Sequence, residues 1–172
     1  KQKHRLQYDY MPFGADNLFP QRVAELNRKS AISRSVISSK ANYVAGEGFD
    51  TDNDKFLNWK PNTNESKRDL IHKITIDKLY NGNAYIEIVK VGNDLNFYHK
   101  DSTKVRISKD GKNAILHSNW ENYNQEKKDA IVIPLYPNFE LVDGNMRSIY
   151  HIKNYEQEFD FYGIPSNIAS YD

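Results

Sequence analysis

Cysteine is absent from the 172-residue chain, which excludes a disulfide framework, a thiolate zinc site, an iron–sulfur cluster and a cysteine nucleophile. Net charge is nearly absent as well. With 24 Lys+Arg against 23 Asp+Glu, the chain lacks the positive field of a dedicated nucleic-acid binder. Dividing it changes little, since residues 1–50 carry +3 and residues 51–172 carry −2. No apolar run approaches the ~18 residues of a membrane span, and no apolar segment of signal-peptide type opens the chain. The expectation is a soluble protein with no membrane partner. Catalytic signatures are missing too: there is no Gly-x-Ser-x-Gly elbow and no Gly-x-x-x-x-Gly-Lys phosphate loop.

What is present is an aromatic-rich polar chain. A mean hydropathy of −0.81 taken alone would point to disorder, but 22 Phe, Tyr and Trp spread along the sequence supply rings for a core. The length suits one domain. Lys1 at the start and a helix-start pattern at the very end, near Asp172, set the expectation of a fragment of a longer chain.

Residues 1–16 show no sustained period and read as an extended arm closed by the turn Phe13-Gly14-Ala15-Asp16-Asn17. Pro20 suits a first helical position, so a short helix is expected over about 20–28. Ser30 can cap a second helix in which Ile32, Val36, Ser39 and Tyr43 recur at helical spacing and Ile37 and Val44 widen the stripe. Gly46-Glu47-Gly48 should end it, with Phe49 folding back. One helical turn is expected through Phe56, Leu57 and Trp59. A third long helix, capped by Asn64 or Thr63, should reach about Tyr80 with apolar residues on more than one face. At Asn81-Gly82-Asn83 the period switches from 3.6 to 2, and strands are expected over 84–91, 95–98, 104–108, 113–118, 131–133 and 148–155. Asp110-Gly111 marks a hairpin, and the polar stretch 119–129 reads as a loop. Tyr162-Gly163-Ile164-Pro165 turns toward a new helix near Ser166. Helices first and hairpins afterwards predict an α+β fold, with the N-terminal helices packed against one mostly antiparallel sheet and the 30–45 helix beside it. The organisation expected is an arm (1–16) and a single domain (17–172).

Candidate chemistry is thin. Asp50, Asp52 and Asp54 match the opening of a calcium loop, but Lys55 and Pro61 stand where glycine and a bidentate glutamate are required. His4, His72, His99, His117 and His151 never fall at i, i+4 spacing. His99, His117 and His151 lie on expected strands, where convergence in space would be needed for a metal or a catalytic base. Glu156 and Glu158 would share one strand face and repel. No metal, cofactor or catalytic residue is expected. Nucleic-acid contact is the main alternative, because Tyr and Phe on a sheet can stack bases and Lys1–Arg5 is basic. Against it, 17 lysines far outnumber 7 arginines, and acidic neighbours accompany most of them.

Four ordered segments resemble the N-terminal half of tailed-bacteriophage portal proteins. They are Phe13-Gly14-Ala15-Asp16-Asn17-Leu18-Phe19-Pro20, Ser30 to Phe49 ending in Ala45-Gly46-Glu47-Gly48-Phe49, Tyr80-Asn81-Gly82-Asn83-Ala84-Tyr85, and His151-Ile152-Lys153 followed by Tyr162-Gly163-Ile164-Pro165. The motif positions are Asn17, Phe19, Pro20, Gly46, Gly48, Phe49, Gly82, Asn83, Tyr85, His151, Tyr162, Gly163 and Pro165. The resemblance implies a wing portion of a ring subunit, usually one of a dodecamer, at one capsid vertex of the virion after assembly in the host cytoplasm. It implies a non-enzymatic role, with further copies of the chain, capsid protein, terminase and tail connector as partners and with DNA passing through the channel without sequence recognition. The family's stem helices, clip and second wing segment have no counterpart in these residues.

Overall fold

The computed structural model describes residues 9–46, 49 and 51–165. The expected helix at Ser166 and the positions Gly48 and Asp50 lie outside them. Helix α1 (Phe19–Lys29) starts with proline in its first turn, and Ser30 alone separates it from α2 (Ala31–Ala45). Ser30 serves both ends: its N–H donates to Leu26 O, and its Oγ accepts from Ser33 N at 3.2 Å. A short α3 (Asp54–Asn58) is capped by Asn53. Helix α4 (Lys67–Asn81) begins at Ser66, not at Asn64 or Thr63. Ser66 wins because Asp69 completes a capping box with it, whereas the Asn64 N–H is held by the Asn62 side chain at 2.9 Å in the preceding turn.

Past Gly82 the chain builds β1 (Asn83–Val91), β2 (Asp94–Lys100), β3 (Val105–Ile107), β4 (Asn113–Leu116), a short α5 (Tyr123–Glu126), β5 (Ile131–Pro134), β6 (Glu140–Val142) and β7 (Asn145–Lys153). The fold is α+β, but the strands form two antiparallel sheets where one was expected: β2-β1-β7-β6 and β3-β4-β5. In the first, Tyr85 faces Lys100 on one side and His151 on the other. The sheets meet where Leu135 bridges Ile149 and the Tyr136 N–H donates to Ile149 O. Strand β6 passes into β7 through a two-residue turn at Asp143-Gly144, both with positive φ (48° and 80°), the geometry that matches strand twist.

One core joins both sheets, with Tyr85 and Ile149 from the first, Val105, Ile107, Ala114 and Ile133 from the second, and Phe13 and Tyr162 between. A second cluster of Tyr10, Ile115, Trp120 and Tyr123 covers the other face of β4. Residues 119–129, expected as a plain loop, therefore contribute two buried rings and a helical turn. Their polar neighbours hide an aromatic pair spaced for one turn. Residues 156–158 are not a strand; Glu158 has φ 67° and both glutamates are exposed.

Two helix expectations are corrected. Helix α4, not α2, lies against β1 and β2, while α2 packs on α4 and α1. Helix α2 turns Ile37, Ala41 and Ala45 inward, because alanines let the α4 backbone come close. Of the stripe read from the sequence Ile37 turns in, and the other apolar members point outward: Ile32, Val36, Tyr43 and Val44 are 80%, 48%, 90% and 59% exposed.

Candidate functional site: the junction of helices and sheets

Gly82 ends α4 in the left-handed conformation (φ 69°) and passes the chain directly into β1. Opposite it lies Gly163. A Cβ on Gly82 would sit 2.6 Å from Ile164 O and 2.7 Å from Gly163 C, and one on Gly163 would meet the Asn154 N and O at 2.6 and 2.7 Å. Two backbones thus touch where only glycine fits.

Asn83, fully buried, ties this contact together. Its Nδ2 donates to Asn81 O (2.7 Å) and Gly163 O (2.8 Å), and its Oδ1 accepts from Gly163 N (2.8 Å) and His151 Nε2 (3.0 Å). That bond requires His151 to carry its proton on Nε2. Burial, and then the Lys153 charge, hold the His151 pKa down at about 3, so the ring is neutral and serves as a donor. It stacks on Tyr85 at 4.4 Å, and burial raises the Tyr85 hydroxyl well above its ordinary range. Asn154 closes the junction by donating from its backbone to Gly82 O at 2.8 Å and from its side chain to Ile164 O at 3.1 Å. Pro165 is buried beside it.

Tyr162 links the junction to the N-terminal segment. Its hydroxyl donates to Met11 O (2.6 Å) and accepts from Ile107 N (3.0 Å), and its ring stacks on Phe13 at 4.2 Å. Burial pushes its pKa up to about 12. Asn17 (φ 66°) accepts on Oδ1 from Phe13 N and from Arg106 Nε (2.7 Å). Phe19 packs on Phe13, and Pro20 is buried. Gly46 and Phe49 stand apart: Gly46 O accepts from Arg68 Nε at 2.8 Å, and Phe49 is exposed and edge-on to Phe56. The structure brings together Gly82, Asn83, Tyr85, His151, Tyr162, Gly163 and Pro165, joins Asn17, Phe19 and Pro20 to them through Phe13, and leaves the Gly46 region separate.

Arg106 was not singled out by sequence. It is fully buried, donates to Asn17 O (2.6 Å), Gln21 Oε1 (3.0 Å) and Val105 O (2.8 Å), and lies over Trp120 at 4.9 Å. Burial lowers its pKa to about 10, which leaves it charged among neutral oxygens. An arginine between Val105 and Ile107 in an apolar strand was the available signal. Glu87, buried on β1 between Lys100 (2.6 Å) and Arg147 (3.4 Å), is a second such group.

The histidines do not converge. His99 bonds Asp77 at 2.8 Å, His117 accepts from Asn119 N, and His151 faces Asn83. Among the described residues no three His, Asp or Glu side chains are grouped to hold a metal, and no helix is long and apolar enough to cross a membrane. An open groove of about 630 Å³ beside Ile88, Leu95, Tyr136, Phe139 and Met146 is lined by no histidine or carboxylate. Tyr85 lies buried between the sheets, where it is closed to a nucleic-acid base.

No protein-family model matches the chain, and no curated protein matches it. A chain in the virion of a native gene transfer agent particle aligns with a TM-score of 0.64 at 16% identity, over 90% of this chain and 41% of its own length. A chain in the neck of an empty gene transfer agent particle computed with C6 symmetry gives 0.64 at 15% identity, over 90% and 42%. The fold is one found in gene transfer agent particles. The chain spans about two fifths of the length of these similar chains.

Proposed function

We propose that the chain is the wing portion of a portal-type ring subunit of a phage or phage-like particle, a structural piece without enzymatic activity. The observation that carries this reading is the backbone likeness, over nine-tenths of the chain, to chains of a virion and of a particle neck. The portal-like motif positions add support, since those of three of the four segments are linked through one junction. Its chemistry is mechanical. The Gly82–Gly163 contact and the Asn83 bonds weld the helix layer to the sheets, so that load on either is passed through backbone rather than through flexible side chains. In this role the chain meets other copies of itself, capsid protein, terminase and tail connector at the portal vertex, with DNA in the channel read by no base contact.

Immunogold electron microscopy of purified particles, with an antibody raised against this chain, tests the proposal. Label confined to one vertex is expected. Label over every vertex, along a tail fibre, or absent from intact particles would overturn it.

A further inference from the structure

The outward face of α2 is an anomaly in a polar chain. Four large apolar side chains at helical spacing lie in solvent, and Tyr43, Val44 and Leu79 border an apolar hollow of about 370 Å³ between α2 and α4. The charge on this face is positive: Lys40 is exposed and lines the hollow, and α2 holds no Asp or Glu. Elsewhere, residues 155–160 (Tyr-Glu-Gln-Glu-Phe-Asp) present the complement. Tyr155 and Phe159 are 86% and 49% exposed, and Glu156, Glu158 and Asp160 surround them with no Lys or Arg in the segment. Both patches are open in the same copy, so neither covers the other.

We propose that the α2 face of one copy receives the 155–160 segment of a second copy, an aromatic ring filling the hollow beside Tyr43 while the segment's carboxylates face Lys40, which lines the same hollow. The two patches are different surfaces, so the contact is heterologous and propagates head to tail, closing into a ring when the rotation per subunit allows. Apolar burial supplies the affinity, and the opposite charges fix orientation and register. That the occupant is another copy rests on the ring-subunit reading above.

The absence of cysteine makes the test direct. The full chain carrying Tyr43→Cys and Tyr155→Cys is treated with a short bis-maleimide and run on a denaturing gel. A ladder of dimers, trimers and larger products is expected, with each single variant giving far less product and none beyond dimer. Adding Lys40→Glu should weaken the ladder several-fold, and adding Glu158→Lys to that should restore it. A double variant that links no better than the singles, a Tyr43→Cys single variant that dimerises equally well, or a charge swap without recovery would overturn the proposal. The outcomes separate from those of the labelling experiment: a ladder without vertex label leaves the contact standing and removes the portal reading, and vertex label without a ladder does the reverse.

Discussion

Replacing Gly82 by alanine tests the junction most directly. Two penalties combine. The left-handed backbone costs an L-residue roughly 1–2 kcal/mol, partly offset by the ~0.4–1 kcal/mol that alanine removes from unfolded-chain entropy. The second is steric, because the new Cβ would lie 2.6 Å from Ile164 O, and backbone cannot rotate aside. Relief requires 163–164 to move off, at roughly 1–3 kcal/mol for overpacking, and stretches the two 2.8 Å bonds between Asn83 and Gly163, worth about 1 kcal/mol each. The expected loss is about 3–5 kcal/mol, a large part of the ~5–15 kcal/mol of a typical domain, and a fall in Tm of roughly 10 °C. Gly92→Ala is the control: its φ is also positive (60°), with nothing within 4 Å of the added Cβ, so it carries the backbone penalty alone, about 1 kcal/mol or less. Urea unfolding followed by fluorescence of Trp59 and Trp120 measures both. Equal losses for Gly82→Ala and Gly92→Ala would refute the close approach of the two backbones.

Three other outcomes are expected. The folded pKa of His151, about 3, lies below the ordinary 6.5, so the unfolded chain takes up a proton between those values that the folded chain refuses. Wild type should therefore lose stability relative to His151→Gln as pH falls from about 6.5 toward about 4, and parallel urea midpoints for the two proteins across that range would contradict the neutral donor. Arg106→Lys should cost roughly 2–4 kcal/mol in thermal melts, since one ammonium cannot reach Asn17, Gln21 and Val105 together; a loss under about 1 kcal/mol would show that the buried fork is dispensable. Labelled single-stranded DNA titrated at low salt should bind only weakly, and tight, steeply salt-dependent binding that drops with Lys3→Ala and Arg5→Ala would favour a nucleic-acid module over a structural one.

The starts of α1 and α2 and the switch to strands were legible because their causes are local, whereas the start of α4 at Ser66 was not. Ser30, Pro20 and Gly82 act through their own backbone geometry, and a period of 2 after Asn83 is written in the side chains themselves. The division into two sheets was not legible, because β7 returns to β1 across some sixty residues while β5 goes to β4, and pairing at that range depends on which faces can be buried together. Trp120 and Tyr123 were hidden by polar neighbours. The Asn83 bonds could not be read either: its partners Gly163 and His151 are distant in sequence. Glycine at 82 and 163 was visible as punctuation, but the contact between them exists only in three dimensions.

Helix α2 carries a separate lesson about periodicity. A hydrophobic stripe identifies a face that wants to leave water, not the partner that receives it. Here the inward face is made of Ile37, Ala41 and Ala45, chosen by the closeness of α4, and the larger Ile32, Val36 and Tyr43 are left outside. Exposing them costs solubility without adding stability to the isolated chain, and burial against a further surface would account for their retention. A substitution that separates the two faces follows. Tyr43→Ser should leave the urea midpoint of the isolated chain within about 0.5 kcal/mol, because 90% of the residue is already in solvent, while suppressing self-association measured by analytical ultracentrifugation at high protein concentration. Ala41→Leu should do the opposite, forcing α2 from α4 and destabilising the single copy by roughly 1–3 kcal/mol. If Tyr43→Ser instead unfolds the chain, the stripe belongs to the fold of one copy and the outward assignment of α2 is wrong.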